Sequence, residues 1–261
     1  MNILDQIIAT KKREVLLKKS IIPIKQLEQS VLFEQKTNSL VHHLSNSASG
    51  IIAEHKRRSP SKYFINQSHY LEDVVKSYEN GGASGISVLT DGQYFGGSLD
   101  DLILARATTN LPLLRKDFVV DEFQIIEAKA FGADVILLIA AVLSRDEIKK
   151  LSELAKSLQL EVLLEVHNQE ELEKSVMPSL DFIGVNNRNL KTFDVNLDYS
   201  KELASHIPSE FIKISESGID DTAAVIELQQ YGYKGFLMGE YFMKSENPEK
   251  TITEFIKKLA L

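Results

Sequence analysis

The chain has 261 residues, no cysteine, 43% hydrophobic and 26% charged residues, and a formal net charge of −7. That is the composition of an ordinary globular protein with enough length to bury one large core. The missing cysteine excludes disulfide frameworks, thiolate metal sites and cysteine nucleophiles, and the acidic balance argues against a nucleic-acid partner.

The first residues, MNILDQIIATKKREVLLKK, alternate apolar and charged side chains. They carry no continuous apolar stretch of the signal-peptide kind. No run reaches the roughly 18 apolar residues of a spanning helix. A cytoplasmic protein with no membrane partner is expected. Ile3, Leu4, Ile7, Ile8, Val15 and Leu16 recur at helical spacing, which predicts an amphipathic helix docked by that face. Pro23 ends or follows it. A second short helix is expected over 24–32, and the polar, Ser/Asn-rich stretch 34–49 reads as a loop. His42 and His43 fall in that loop without a partner at ligand spacing, so no metal is expected there.

From residue 51 short apolar runs recur: IIAEHK at 51, GISVLT at 85, PLLRKD at 112, DVILLIA at 134, EVLLEV at 161, DFIGVNN at 181, FIKISES at 211 and KGFLMGE at 234. Each is rich in Ile, Val and Leu, as strands buried on both faces are. Amphipathic helical segments separate them, several opening on a capping signal: Asp121 with Gln124, Ser144 with Glu147, Asn168 with Glu171, and Asn247 before Pro248. Regular alternation of this kind predicts a (β/α)8 TIM barrel. A doubly wound open sheet is the competitor, and would carry a glycine-rich fingerprint after its first strand, which IIAEHKRRSPS lacks. The chain therefore reads as one domain, with an N-terminal helical extension over 1–49 and the barrel over 50–261.

Polar residues follow the apolar runs at once. Glu54 and Lys56 end the first, and Thr90, Asp91 and the aromatic pair Tyr94-Phe95 follow the second. Arg115, Lys116 and Asp117 end the third, Glu165 the fifth, Asn186 and Arg188 the sixth, Glu216 and Ser217 the seventh. In a barrel these positions converge on one mouth, where such enzymes place their chemistry. Any one of them alone is explained by solvent at a strand end. Together, several ammonium and carboxylate groups in one cleft would perturb one another's pKa values, as acid–base catalysis requires. The basic run Lys56, Arg57, Arg58 and Lys62 reads, by itself, as a solvated face. Gly218 and Gly239 follow the last two strands, where barrels often hold phosphate on backbone N–H groups.

These residues resemble the indole-3-glycerol-phosphate synthase family. The resemblance is carried by AEHKRRSPS at 53–61, SVLTDGQYFGGS at 87–98, LLRKDF at 113–118, LLEVH at 163–167, GVNNRNL at 184–190, SESGI at 215–219 and MGE at 238–240, in order along nearly the whole chain. The family closes the ring of 1-(2-carboxyphenylamino)-1-deoxyribulose 5-phosphate, releasing CO2 and water, in tryptophan biosynthesis. The resemblance implies no metal or redox cofactor, an anionic arylamino sugar phosphate as substrate, and other tryptophan-pathway enzymes as partners. It implies Lys116 as the acid that protonates the ketone. Lys56 would hold the anionic groups and donate to the leaving hydroxyl. Glu54 and Glu165 would hold these lysines, one of them acting as base, and Asn186 and Ser217 would complete the catalytic set. Ser59, Pro60, Ser61, Phe95, Phe118, Arg188, Leu190 and Glu216 would contact substrate, with the two phenylalanines on its aromatic ring and Ser59–Ser61 in a mobile loop over the mouth. Gly218, Gly239 and the backbone of Glu240 would cradle the phosphate, the Glu240 side chain turning away because a carboxylate repels phosphate. Another phosphate-binding barrel, such as a phosphoribosyl-anthranilate isomerase relative, would want a cysteine or an aspartate pair in place of the lysine–glutamate set. A barrel that only binds a sugar phosphate would not need Lys56, Lys116 and Glu165.

Overall fold

The computed structural model describes residues 2–189 and 192–259. Three helices precede the first strand: α1 (Ile3–Ile21), α2 (Ile24–Glu28) and α3 (Leu40–Ser45). Strands and helices then alternate as β1 (Ile51–His55), α4 (Leu71–Asn80), β2 (Gly85–Leu89), α5 (Gly92–Phe95), α6 (Leu99–Thr108), β3 (Leu113–Lys116), α7 (Glu122–Ala130), β4 (Val135–Ile139) and α8 (Arg145–Ser157). They continue as β5 (Glu161–Val166), α9 (Gln169–Ser175), β6 (Phe182–Asn186), α10 (Asp198–Leu203), β7 (Ile212–Glu216), α11 (Thr222–Gln230), β8 (Tyr233–Met238), α12 (Glu240–Met243) and α13 (Pro248–Leu259). The strands lie side by side in sequence order and close into a barrel, with β8 pairing back to β1 in parallel at Ile51–Phe236. The expected TIM barrel is therefore the fold.

The near-continuous apolar runs have the reason predicted for them. β1, β2, β4 and β6 are buried at every position, because one face fills the barrel and the other meets the helices. Ile52, Leu114, Val135, Leu137, Leu163, Phe182, Ile214 and Leu237 form the interior cluster. A larger cluster, including Val88, Leu138, Leu164 and Val185, packs with the helices. The capping signals locate the helix starts. Ser144 and Glu147 form a capping box, Asn168 accepts the Glu171 N–H, and Asn247 accepts the Lys250 N–H at 2.9 Å. At Asp121 the cap goes to the Phe123 N–H instead, and Gln124 turns back to Val120 N and Phe118 O.

Two expectations about the extension are corrected. The stretch 34–49 contains the helix α3, and His42 and His43 lie on it. Ser39 caps it through the His42 N–H, and the Glu161 carboxylate accepts the N–H groups of Leu40 and Val41 at 2.8 and 3.1 Å. Leu40 and Leu44 join the barrel interior, so α3 closes the end at which the strands begin. Six residues are too few to show a helical period. In α1, Leu16 and Leu17 are 69% and 58% exposed, and the inner face runs through Ile7, Lys11 and Val15. A charged residue occupies a position that the apolar pattern assigned to no face. No described helix is long and apolar enough to cross a membrane.

Candidate active site

A cavity of about 970 Å³ opens at the C-terminal ends of the strands. Its floor is ionic. Lys116, the last residue of β3, donates to Glu165 Oε2 at 2.9 Å and Glu216 Oε2 at 2.6 Å. Lys56, just past β1, donates to Glu54 Oε1 at 2.7 Å. Glu54, Glu165 and Glu216 are buried, and their carboxylates come from β1, β5 and β7. Strand-end register brings them together: Glu165 pairs with Gly184, and Asn186 with Glu216, across adjacent strands. A Cβ on Gly184 would collide with Glu216 Oε1. Glycine at that position of β6 admits the carboxylate of β7, a role that no motif in the sequence signals.

Three carboxylates share two ammonium groups here. Burial works against the charge on Lys116, yet Glu165, Glu216 and Glu54 outweigh it and raise the pKa. Burial likewise opposes the charge on Glu54 and Glu165, but the lysines hold both below the usual carboxylate range. Glu216 differs. Burial pushes it up, Lys116 pulls it down, and the Glu165 and Glu54 charges help carry it to about 7. Its Oε1 is buried without a hydrogen-bond partner. Since the folded pKa of Glu216 lies above its unfolded value of 4.5, its contribution to stability is fully present below pH 4.5 and is lost as pH rises through about 7. Glu216→Gln removes that titration. Thermal melts between pH 5 and 8 will show a smaller loss of stability with pH in the variant, by roughly 1–3 kcal/mol at the alkaline end.

The ionic floor separates two unlike ends. At one, the Phe95 and Phe118 rings lie 5.9 Å apart between centroids, and Leu137 and Ile139 line the wall beside them. Ile3, Leu4 and Ile7 of α1 also reach this cavity, which the helical pattern alone could not place. At the other end lie Ser217, Gly218, Gly239 and Glu240. Ser217 and Gly218 both take positive φ, 68° and 78°, a conformation that glycine alone adopts without penalty. The turn is braced from behind. Asn187 Nδ2 donates to Ser215 Oγ, Glu216 O and Ser217 O, and its Oδ1 accepts from Ser200 Oγ.

The structure brings Glu54, Lys56, Ser59, Pro60, Ser61, Phe95, Lys116, Phe118, Glu165, Asn186, Arg188, Glu216, Ser217, Gly218, Gly239 and Glu240 to one cavity. Leu190 lies outside the described residues. Asn186 hydrogen-bonds Glu165 and accepts the Arg188 N–H at 3.0 Å. Ser59 and Lys62 close a turn through two mutual backbone bonds of 2.8 and 3.1 Å. Glu240 lines the cavity. Its carboxylate is bonded to Lys62 and Lys244, both cavity residues, and these neutralise it.

Two other expectations change. Arg115 is not at the mouth. It is buried behind the barrel, bonded to Asp117, Glu127, Thr90 and the Gln124 carbonyl, because alternate residues of a strand face opposite ways. The basic run is not a solvated face either. Arg57 forms a bidentate pair with Asp101 at 2.6 and 2.9 Å, and Arg58 donates to the carbonyls of Gly92 and Gln93. Together with Lys56–Glu54 and Lys62–Glu240, these bonds pin the segment after β1 across the mouth.

A closed (β/α)8 barrel with a lysine–carboxylate floor between an aromatic end and a glycine-lined end belongs to the class of barrel enzymes that work by acid–base chemistry. The family model for indole-3-glycerol phosphate synthase matches residues 4–255. The chain is 46% identical over 258 residues to the indole-3-glycerol phosphate synthase of Bacteroides thetaiotaomicron, covering 99% of each chain. It is 42% identical over 246 residues to that of Campylobacter fetus, covering 94% of this chain and 95% of the other. Among solved structures, a thiamine phosphate pyrophosphorylase from Pyrococcus furiosus superposes with a TM-score of 0.58 at 16% identity, over 81% of this chain and 97% of that one; it shares the fold alone. The chain belongs to the indole-3-glycerol phosphate synthase family, carboxy-lyases of tryptophan biosynthesis.

Proposed function

We propose that the chain converts 1-(2-carboxyphenylamino)-1-deoxyribulose 5-phosphate into indole-3-glycerol phosphate, CO2 and water with the residues of the ionic floor. The observation that carries the assignment of roles is the pair of lysine–carboxylate contacts, Lys116–Glu165 and Lys56–Glu54, on one cavity between an apolar and a glycine-lined end. The aryl ring takes the end lined by Phe95 and Phe118. The phosphate takes the end of Gly218 and Gly239, where Lys62 and Lys244 add positive charge that Glu240 now holds.

The ring carbon bearing the carboxylate attacks the ketone carbon, and Lys116 protonates the oxygen as it becomes an alkoxide. A raised pKa keeps Lys116 protonated in the resting enzyme. The alkoxide is the stronger base, so transfer is favourable once the bond forms. Loss of CO2 returns an electron pair to the ring. Lys56 then protonates the hydroxyl, which leaves as water, and Glu165 removes the proton from the adjacent carbon to complete the indole. Glu165 lies 2.9 Å from Lys116, so this proton restores the first acid. Lys56, whose side chain is 20% exposed, recovers its proton from solvent. One proton is consumed per turnover, as decarboxylation of a carboxylate requires. Asn186, Arg188, Ser217 and the Ser59–Ser61 segment orient the sugar hydroxyls and carboxylate. Other tryptophan-pathway enzymes as partners, and a cytoplasmic setting in keeping with a cysteine-free chain, belong to the same reading.

The test is direct. Purified protein mixed with the arylamino ribulose phosphate should develop indole fluorescence and release CO2 in equal amounts; neither signal appearing would reject the assignment.

A further inference from the structure

Behind Glu165 stands a group that the reaction above does not use. His167 follows β5 by one residue and does not line the cavity. Its Nδ1 lies 3.1 Å from Glu171 Oε2, and its Nε2 faces Glu165 Oε1 at 3.5 Å. That Nε2 is buried and has no formed hydrogen bond. The loop does not need the ring for its own geometry, because Glu171 already accepts the His167 backbone N–H at 2.9 Å and Asn168 caps α9. The imidazole instead joins two carboxylates, one at the surface end of the chain of contacts and one on the floor of the site. Its position matters because that floor holds three carboxylates against two ammonium groups.

We infer that His167 is a positioning residue for the proposed reaction: as an imidazolium held by Glu171, it supplies the third positive charge of the floor and keeps the Glu165 carboxylate ionised and aimed at Lys116. The inference rests on Glu165 acting as the base. The charged groups around the ring agree with it. Glu165 faces it from β5, Glu171 from α9 and Glu216 from β7, with Lys116 beyond Glu165 and Lys174 beyond Glu171. Burial disfavours the imidazolium, but the hydrogen bond to Glu171 and the charges of Glu165, Glu171 and Glu216 outweigh it and raise the pKa. In return His167, after Lys116, helps to hold Glu165 low. Glu171 is held low by the same ring.

His167→Gln keeps a polar side chain of similar reach and removes the charge. Glu165 then loses a positive neighbour, its pKa rises, and the base form disappears at a higher pH. The acid limb of the kcat profile should move up by about one pH unit. At pH 7, where Glu165 stays ionised in both proteins, kcat should fall only as far as the base loses its aim, by less than about tenfold, while KM stays within about twofold because the ring does not touch substrate. Glu171→Gln should shift the same limb in the same direction by less. In the wild type, the His167 ring followed by NMR should titrate above the ordinary imidazole range, and in Glu171→Gln it should titrate lower. An active wild type whose acid limb is unmoved in both variants would overturn the inference and leave the assigned reaction standing. An inactive wild type would reject the reaction, and the NMR titration would still decide whether His167 carries the charge.

Discussion

Replacing Lys116 by alanine should lower kcat by about 10³-fold or more, since one substitution removes both the ketone's acid and the charge that stabilises the developing alkoxide. KM should change much less, because the aryl and phosphate ends of the cavity are built from other residues. The same change should weaken the fold in a way that depends on pH. Lys116 holds Glu165 and Glu216 by direct contacts of 2.9 and 2.6 Å and adds its charge to Glu54. Without it, three buried carboxylates face one another. An uncompensated buried charge costs about 3–5 kcal/mol, and the opening of the cavity to water lowers that toward about 3. The carboxylates relieve the repulsion by taking up protons, so their folded pKa values rise. Groups with raised folded pKa values stabilise at low pH and lose that contribution as pH increases. The gap in melting temperature between Lys116→Ala and the wild type should therefore be small near pH 5 and widest near pH 8.

The second large effect is expected far from the reacting atoms. Lys11 is 1% exposed, and its Nζ lies 3.0 Å from each of Glu14, Asp91 and Asp117. Asp91 follows β2 and caps α5 through the Tyr94 and Phe95 N–H groups. Asp117 follows Lys116 and is also bound by Arg115 and Thr90. One ammonium thus joins the extension to the ends of two strands. Lys11→Met keeps most of the volume and leaves two buried aspartates short of a cation, for a loss of about 3–5 kcal/mol. It also frees the helix whose Ile3, Leu4 and Ile7 complete the apolar end of the cavity. KM should rise roughly tenfold, with a smaller effect on kcat, and proteolysis within α1 should accelerate. The acid side adds a check. Burial works against the Asp117 charge, but Arg115 and Lys11 hold its pKa well below the ordinary aspartate value of 3.8. A depressed folded pKa gives stability that is present above the unfolded pKa and lost as pH falls through the folded one. Removing Lys11 raises that folded pKa, so acid unfolding should begin at a higher pH in the variant.

Much of this could be read from the sequence, for reasons that are themselves physical. A strand buried on both faces must be apolar throughout, so the eight runs located the barrel strands closely. The first polar residue after each run fell at the mouth when its side chain pointed inward, as for Glu54, Lys116, Glu165 and Glu216. Where the alternation pointed outward, the same rule misplaced Arg115. The direct ion pair of Glu216 with Lys116 was hidden because it depends on which strands lie across the barrel from one another, and on Gly184 leaving room. Lys11 was hidden because a charged residue in an amphipathic pattern reads as solvated unless its buried partners Asp91 and Asp117, 80 and 106 residues away in sequence, are known. The helix α3 was hidden by its length.

The most direct measurement of the central claim is a single-turnover comparison of the wild type with Lys116→Ala, following indole fluorescence and CO2 release together at pH 7.5. Indole and CO2 appearing in equal amounts with the wild type, and both slowed about 10³-fold or more in the variant, is the result predicted. A wild type that produces neither, or a variant that produces both at the wild-type rate, would contradict it.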